Sequence, residues 1–400
     1  MRRESMKQTY LDHAATTPCY PEVVDEVTRQ LLNNFGNPSS LHSLGVSARA
    51  TLDSARASVA ADLGCDSSEI VFTSGGSESN NLALRGTAHA HQYAGRHIVT
   101  TAFEHESVLK TCEALQAEGF EISLAPVNGK GIVQLDELLR LLRPDTILVS
   151  VMHANNEVGA IQPIAEITRA VKKFRPDIFI HTDAVQTVGH VPVDIRELGV
   201  DLLTLTAHKF GGPKGIGALY TRRGVRIEHQ IAGGHQEHNL RSGTESVALA
   251  AGMATALRLS MRDQDQRAAA WRKMRDSLLA AILSAVSDAR VNGDYIDRLP
   301  TNLNISFLGV SGEDMVLRLD RRGIQASSGS ACGAGHGALS HVLAAMNVPR
   351  AWAKGALRLT LGEGCRDMDQ SYVVEQIKAV VAELRSTSSF RSNGLLLTHQ

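Results

Sequence analysis

From about residue 70 to residue 206, short apolar runs alternate with longer stretches in which apolar residues recur every three or four positions. Runs such as Ile70–Thr73 and Thr146–Met152 are typical of buried strands, whereas the spacing between the runs favours amphipathic helices. The other predicted strands of this region are His97–Thr101, Ile122–Pro126, Ile178–Thr182 and Leu202–Thr206. This order predicts βαβ units, and therefore an α/β fold in which helices cover a mainly parallel sheet.

The pattern changes after about residue 250, where a long helical stretch, Val247–Ser287, precedes strands and helices in mixed order. The predicted elements of this second region are Leu303–Phe307, Glu313–Arg321, Ile324–Ser327, Leu357–Leu361 and Met368–Leu384. We therefore predict a large domain at residues 16–260 and a smaller α+β domain made of residues 1–15 together with 261–385. Residues 386–400 are mostly polar and are predicted to form a loose tail.

Composition argues against several classes of protein. The 400 residues include 41 Lys and Arg against 42 Asp and Glu, and a net charge of −1 argues against direct binding to nucleic acid or to an anionic membrane. No apolar run is long enough to cross a bilayer, and the start of the chain lacks the apolar segment of a signal peptide. The five cysteines include no C-x-x-C pair, which argues against a disulfide framework or a thiolate metal site. We expect a cytoplasmic protein without a bound metal.

Polar and glycine-rich residues follow most of these predicted strands at the points where the strands end. The segments that follow them are, in chain order, SGGSESNN, FEHES, HANNE, DAVQ and AHKFGGPKG. Ligands of open α/β sheets bind at the carboxyl ends of the strands, so we expect a ligand site along this edge. SGGSES, at residues 74–79, could bind a phosphate through backbone N–H groups at a helix N-terminus, or it could be an ordinary helix N-cap.

Two residues of opposite charge are predicted at neighbouring strand ends. Asp183 and Lys209 could form a simple salt bridge, or they could bind opposite ends of one cofactor. Pyridoxal phosphate requires a lysine for a Schiff base, a carboxylate facing its pyridine nitrogen and a phosphate site, and this edge offers all three. His105 could stack on such a ring or could be an ordinary buried histidine, although its neighbours Glu104 and Glu106 argue against burial.

Longer segments around these residues resemble the cysteine desulfurases of the NifS/IscS-like group, within class V of the pyridoxal-phosphate-dependent aminotransferases. The matching segments, which lie within residues 8–385, include YLDHAATTP, FGNPSSLHSLG, FTSGGSESNNLAL, EHESVL, MHANNEVGAIQP, HTDAVQTVG, TAHKFGGPKGIGALY, RSGT, NLNISF, SSGSAC and LRLTLG. The resemblance implies the aminotransferase fold type I, with a large cofactor-binding domain and a smaller α+β domain. It also implies pyridoxal 5'-phosphate as the cofactor.

The resemblance assigns cofactor contacts residue by residue. Lys209 would form the Schiff base, Asp183 would pair with the pyridine nitrogen, Gln186 would reach the ring hydroxyl, and His105 would stack on the ring and move protons. The predicted phosphate contacts are Gly76, Ser77, Thr206 and His208. Thr244 would reach the phosphate of the other subunit, which implies a homodimer.

The resemblance also implies a substrate site and a sulfur acceptor. Asn156 and Arg358 would bind the substrate, with Arg358 holding its carboxylate as a bidentate fork. Cys332 would take the sulfur. The residues around it, SSGSACGAGHGALS, have no apolar periodicity and favour an exposed loop with an accessible thiol, although a lone cysteine is often only a buried apolar residue.

The implied activity is that of a cysteine desulfurase, which converts L-cysteine to L-alanine and forms a persulfide on Cys332. The persulfide would pass to an acceptor protein for iron–sulfur assembly, tRNA thiolation or DNA phosphorothioation. A selenocysteine lyase or a class V aminotransferase on the same fold is the alternative. The segment CGAGHGAL and the C-terminal tail depart from the family pattern, which leaves the acceptor open.

Overall fold

The computed structural model describes residues 8–329 and 339–387. The strands are β1 (Thr9–Tyr10), β2 (Ile70–Thr73), β3 (His97–Thr101), β4 (Glu121–Ala125), β5 (Thr146–Ser150), β6 (Phe179–Asp183), β7 (Leu202–Thr206), β8 (Gly217–Thr221), β9 (Ala289–Val291), β10 (Asn302–Phe307), β11 (Ile324–Gln325) and β12 (Ala356–Thr360). The helices are α1 (Pro21–Asn33), α2 (Ser43–Leu63), α3 (Gly76–His91), α4 (Glu106–Ala117), α5 (Leu135–Arg140), α6 (Ile164–Phe174), α7 (Ile195–Leu198), α8 (Val247–Met261), α9 (Gln264–Ala285), α10 (Gly312–Asp320), α11 (His341–Ala345), α12 (Arg350–Ala353) and α13 (Gln370–Ser386).

Seven strands form the large sheet, in the order β2-β8-β7-β6-β5-β3-β4. All neighbours from β7 to β4 are parallel, and β8 runs antiparallel to both β2 and β7. Most of these strands are buried along their whole length, because helices cover both faces of the sheet. The predicted α/β fold with a mainly parallel sheet is therefore confirmed. Asp183 is the last residue of β6, one position beyond the predicted strand.

The C-terminal part of the chain builds a second apolar core. β10 lies between β9 and β12 in an antiparallel sheet, and helices α9, α10 and α13 contribute buried residues such as Leu278, Met315 and Ile377. Leu11 belongs to the same cluster, and β1 pairs with β11, so the N-terminal stretch packs with this core. The exact division of the chain into two domains stays a prediction.

The prediction of a single helical stretch at Val247–Ser287 is wrong, because the structure has two helices there. Helix α8 ends at Met261 and α9 begins at Gln264. Between them Asp263 has a φ of 54°, a left-handed conformation that interrupts the helical hydrogen bonds. No helix among the described residues is both long and apolar enough to cross a membrane.

Candidate active site

A cavity of about 310 Å³ lies at the carboxyl edge of the large sheet. Residues from three strand ends, the first turn of α3, the start of α4, the N-terminal stretch and β12 line it. The lining residues are Ala14, Ala15, Gly76, Ser77, Asn80, His105, Glu106, Ser107, Met152, Asn156, Glu157, Asp183, Val185, Gln186, Thr206, His208, Lys209, His341 and Arg358. The structure therefore brings nearly all of the described predicted site residues into one cavity.

The N-terminus of α3 forms one wall of this cavity. The helix begins at Gly76 directly after the β2 turn, and its first N–H groups have no partner within the helix. A Cβ on Gly76 would lie 2.9 Å from Cγ2 of Val185, so a side chain there would crowd the segment that follows Asp183. The glycine lets the positive end of the helix approach the strand end closely, which suits an anionic group. Ser77, in the same turn, is exposed and also lines the cavity.

Thr206 and His208 lie at the end of β7, opposite this helix start. Thr206 is buried, and its hydroxyl donates to the carbonyl of Ile216 at 3.1 Å. Nδ1 of His208 lies 3.2 Å from the hydroxyl oxygen of Thr16. Burial, together with the charges of two nearby lysines, lowers the pKa of His208 to about 4. The ring is therefore neutral near pH 7, and it can form hydrogen bonds to a phosphate.

Lys209 and Gln186 meet at the N-terminal stretch. Nζ of Lys209 donates to the carbonyls of Ala14 at 2.6 Å and Ala15 at 2.8 Å, and Nε2 of Gln186 donates to the same Ala14 carbonyl at 3.1 Å. The two side chains come from neighbouring strand ends, β7 and β6. The structure thus positions both predicted cofactor contacts against a segment that belongs to the other core.

Asp183 and His105 are joined through two polar side chains. Nδ2 of Asn80 donates to Oδ2 of Asp183 at 2.7 Å and to Oγ of Ser107 at 2.8 Å. Oγ of Ser107 lies 2.8 Å from Nδ1 of His105, and the backbone N–H of Ser107 donates to the same nitrogen at 3.1 Å. Burial is the largest cause that lowers the pKa of His105; Asp183 raises this pKa and Lys209 lowers it further, each by less than burial does.

Glu104 is fully buried, contrary to the expectation that acidic neighbours would keep the His105 region exposed. Its Oε1 accepts hydrogen bonds from the hydroxyl of Thr101 at 2.7 Å and from the backbone N–H of Met152 at 2.9 Å. Burial raises the pKa of Glu104 to about 8. These two donors compensate part of the cost of burial, which the sequence pattern does not reveal.

Arg358 is 2% exposed and reaches the cavity from β12. Its Nη2 donates to Oδ1 of Asp12 at 2.7 Å and its Nη1 to the carbonyl of Asn156 at 3.0 Å. Its buried Nε has no hydrogen-bond partner among the described residues. A buried N–H without a partner is costly unless a ligand satisfies it. Asn156 and Arg358 therefore lie together, as expected of a site for a carboxylate.

Glu157 is a buried acid that borders the cavity and was not predicted as a site residue. Its Oε2 accepts from the hydroxyl of Ser340 at 2.5 Å, and a Cβ on Gly329 would lie 3.0 Å from the same oxygen. Burial raises the pKa of Glu157. Gly329 and Ser340 lie before and after residues 330–338 in the sequence, and both lie next to Glu157 at the cavity.

One described residue among those predicted, Thr244, does not line this cavity. Thr244 is exposed, as would be required of a residue that acts on another subunit, and that role stays a prediction. Cys332 lies outside the described residues. The sequence reasoning missed Asp12, Asn80 and Glu157, although each lies in a segment that matched the family motifs.

The residues of the cavity fit pyridoxal phosphate. The helix N-terminus at Gly76 has no side chain in the way and suits an anion. The buried carboxylate of Asp183 suits a ring nitrogen, and the amine of Lys209 is a group that can form an imine. Among the described residues, no cluster of His, Cys, Asp and Glu has the arrangement of a metal site. Of the described cysteines, Cys112 is buried, and burial raises its pKa to about 12, which leaves it unreactive.

Comparison with known proteins places the chain in a family. The Aminotransferase class-V family matches residues 9–362. The protein is 46% identical over 385 residues to the cysteine desulfurase IscS of Dictyoglomus turgidum, covering 96% of this chain and 97% of that protein. It is 43% identical over 382 residues to the cysteine desulfurase IscS of Methanosarcina thermophila, covering 96% and 94% of the two chains.

Solved structures agree with this assignment. A NifS-like protein superposes with a TM-score of 0.89 at 37% identity, covering 94% of this chain and 100% of that chain. The structure of SspA in complex with cysteine superposes with a TM-score of 0.76 at 32% identity, covering 88% and 98% of the two chains. The fold, the match over nearly the whole chain and the residues of the cavity lead to one conclusion: the chain belongs to the class V aminotransferase family and, within it, to the cysteine desulfurases of the NifS/IscS group.

Proposed function

We propose that this protein is a pyridoxal-phosphate-dependent cysteine desulfurase that passes the sulfur of L-cysteine to Cys332. The observation that carries the proposal is the convergence of Lys209, Asp183, Arg358 and the N-terminus of α3 on one cavity. Relatives that carry the name cysteine desulfurase match the chain over almost its whole length, which supports the same activity.

The cofactor would be held at both ends. Gly76, Ser77, Thr206 and His208 would bind the phosphate, and Asp183 would pair with the pyridine nitrogen. Gln186 would contact the ring hydroxyl, His105 would contact the ring, and Lys209 would supply the amine that attaches the cofactor to the chain. When bound, pyridoxal phosphate supplies an aldehyde that captures amines and a ring that takes up an electron pair.

Arg358 and Asn156 bind and orient the substrate. The bonds from the two Nη atoms of Arg358 to Asp12 and Asn156 fix the plane of the guanidinium. Its Nε–H, which has no partner among the described residues, would donate to the substrate carboxylate. With the substrate carboxylate held there, Nζ of Lys209 is the group that removes the α-proton of the substrate.

The sulfur transfer balances without an external oxidant. The thiolate of Cys332 attacks the sulfur of the substrate, the carbon–sulfur bond breaks and a sulfur–sulfur bond forms. The carbon skeleton takes up protons and leaves as L-alanine, while Cys332 keeps one additional sulfur atom as a persulfide. Gly329 and Ser340 come before and after the segment that contains Cys332, and both lie beside Glu157 at the cavity. Their positions support the proposal that Cys332 reaches the substrate.

We propose that the active unit is a homodimer in which Thr244 reaches the partner's cofactor. Apolar side chains that are exposed on this chain concentrate between residues 24 and 46; they include Leu31 (64%), Phe35 (71%) and Leu41 (97%). Exposed apolar side chains concentrated in one stretch of the chain are typical of a protein interface. Glu245, next to Thr244, pairs with Arg49 of α2 at 3.3 Å, so the Thr244 segment lies against a helix that begins within the same stretch.

The persulfide would pass to an acceptor protein in the cytoplasm, for iron–sulfur assembly, tRNA thiolation or DNA phosphorothioation. A direct assay tests the activity itself. Purified protein loaded with pyridoxal phosphate is expected to release equal amounts of L-alanine and sulfide from L-cysteine in the presence of a thiol reductant. Formation of a 2-oxo acid without sulfide would point to an aminotransferase instead, and turnover of L-selenocysteine alone would point to a selenocysteine lyase.

A further inference from the structure

A continuous series of hydrogen bonds leads from Asp183 to His105 through two side chains to which neither the sequence motifs nor the proposed function assigns a role. Asn80, which is 1% exposed, donates from Nδ2 to Oδ2 of Asp183 at 2.7 Å and to Oγ of Ser107 at 2.8 Å. Ser107 then contacts Nδ1 of His105 twice, through its hydroxyl at 2.8 Å and through its backbone N–H at 3.1 Å.

The chemistry of the donors fixes the direction of every bond. A carboxylate oxygen accepts, so the amide of Asn80 must present its NH₂ group, and not its oxygen, to Asp183. The second N–H of that group donates to Oγ of Ser107, which leaves the hydroxyl proton of Ser107 to be donated to Nδ1 of His105. The backbone N–H of Ser107 can only donate. Nδ1 of His105 therefore accepts from two donors and carries no proton, so the neutral ring has its proton on Nε2.

We propose that Asn80 and Ser107 are positioning residues that hold His105 as the Nε2-protonated tautomer and tie its ring to the carboxylate of Asp183. That the ring of His105 faces the cofactor rests on the proposed function. The tautomer itself rests on the geometry of these four residues.

This tautomer limits which nitrogen of His105 can accept a proton. A proton cannot enter at Nδ1 without displacing both donors of Ser107, and Nε2 already holds one, so the neutral ring offers a hydrogen bond from Nε2. The charged and titratable groups that face the ring are Asp183, Lys209, Glu106 and His341. Burial lowers the pKa of His105, which agrees with a ring that stays neutral near pH 7.

The tautomer is measured directly by nitrogen NMR on the holoenzyme labelled with ¹⁵N-histidine, with the His105 signals assigned by their loss in His105→Gln. In the unsubstituted protein we expect Nδ1 at the chemical shift of an unprotonated nitrogen and Nε2 coupled to a proton. Ser107→Ala removes the hydroxyl donor and keeps only the backbone N–H, and Asn80→Ala removes the group that orients this hydroxyl, so both are expected to shift the Nδ1 resonance part of the way toward the protonated position. They are also expected to raise the pKa of His105, because donors to the neutral ring are lost or misdirected.

Two further variants separate positioning from general damage. Ser107→Thr retains the hydroxyl and the backbone N–H and is expected to keep the original Nδ1 resonance. Asn81→Ala changes the next residue of the same helix, whose Nδ2 donates to the carbonyl of Ser77 at 2.9 Å on the exposed side, and it should also leave this resonance in place. In Asn80→Ala we expect kcat to fall about tenfold or more with little change in KM, because a hydrogen bond to a carboxylate is lost.

A proton on Nδ1 in the unsubstituted holoenzyme would overturn the proposal, even if Asn80→Ala fails to fold. An Nδ1 resonance unmoved in both Ser107→Ala and Asn80→Ala would overturn it as well. The proposed tautomer in a protein that releases no sulfide from L-cysteine would instead count against the proposed function alone.

Discussion

Arg358 and Asp12 form an ion pair at the wall of the cavity, with Nη2 of the arginine 2.7 Å from Oδ1 of the aspartate, although 346 positions separate them in the sequence. The pair connects the N-terminal stretch to strand β12 and fixes the guanidinium plane beside the proposed substrate site. Arg358 therefore has hydrogen-bonding groups in three directions, and the one at Nε has no partner within residues 8–329 and 339–387.

Arg358→Lys is expected to lower kcat/KM for L-cysteine by about 100-fold, with most of the effect in KM. A single ammonium group cannot contact Asp12 and Asn156 and still present a donor to the substrate carboxylate. Steady-state kinetics test this, with Arg350→Lys as the matched control at an exposed arginine. An unchanged KM in Arg358→Lys would mean that the substrate carboxylate binds elsewhere.

Lys209→Ala is expected to leave the cofactor without a covalent bond to the chain. Borohydride reduction followed by peptide mass spectrometry should find the cofactor attached at Lys209 in the unsubstituted protein and at no residue in the variant. Lys214→Ala, five positions away in the same glycine-rich segment, should keep the attachment at Lys209. Attachment at another lysine would overturn the assignment.

The regular parts of this fold follow from the sequence because buried parallel strands have to be apolar throughout. Ile70–Thr73, His97–Thr101 and Leu202–Thr206 have the same bounds in the structure as in the prediction. The break between α8 and α9 was not predictable, because it depends on the left-handed conformation of Asp263 within a continuous helical pattern.

The sequence predicts those site residues that lie at the ends of strands. It does not predict those that reach the cavity through contacts between distant segments. Asp183 comes directly after one apolar run, and Lys209 comes three positions after the next one. Because both runs are parallel strands, the sequence predicts that the two residues lie at the same edge of the sheet. Asn80 lies one turn inside α3, and Asp12 lies in the N-terminal stretch, so only the packing of distant segments brings them to the cavity.

Glu237→Gln is expected to destabilise the protein by about 3–5 kcal/mol, because it breaks a buried ion pair and leaves a charge without its partner. The two carboxylate oxygens of Glu237 each lie 2.6 Å from a guanidinium nitrogen of Arg56, and one also accepts from the N–H of Phe72 at 2.7 Å. Urea unfolding measures the change. Glu137→Gln, which breaks the exposed pair with Arg140, serves as the control and should cost less than about 1 kcal/mol. Equal effects in both variants would contradict the account.

Glu104→Gln is expected to remove a pH dependence of stability. The folded protein keeps the proton of Glu104 up to about pH 8, whereas the unfolded group ionises near its ordinary value of 4.5. Raising the pH between these values therefore favours the unfolded chain, by at most about 1.4 kcal/mol per pH unit. The stability of the variant relative to the unsubstituted protein should increase from pH 5 to pH 8 in urea titrations. Parallel curves would show that Glu104 is already ionised in the folded state.

The central claim is that sulfur leaves L-cysteine and arrives on Cys332, and peptide mass spectrometry after a single turnover without reductant tests it most directly. We predict one L-alanine formed per sulfur atom gained, with the added sulfur on the peptide that contains Cys332. Cys332→Ala should gain no sulfur and should lose sulfide release, while Cys19→Ala should behave like the unsubstituted protein. Sulfur found on another cysteine, or sulfide release at full rate from Cys332→Ala, would contradict the account.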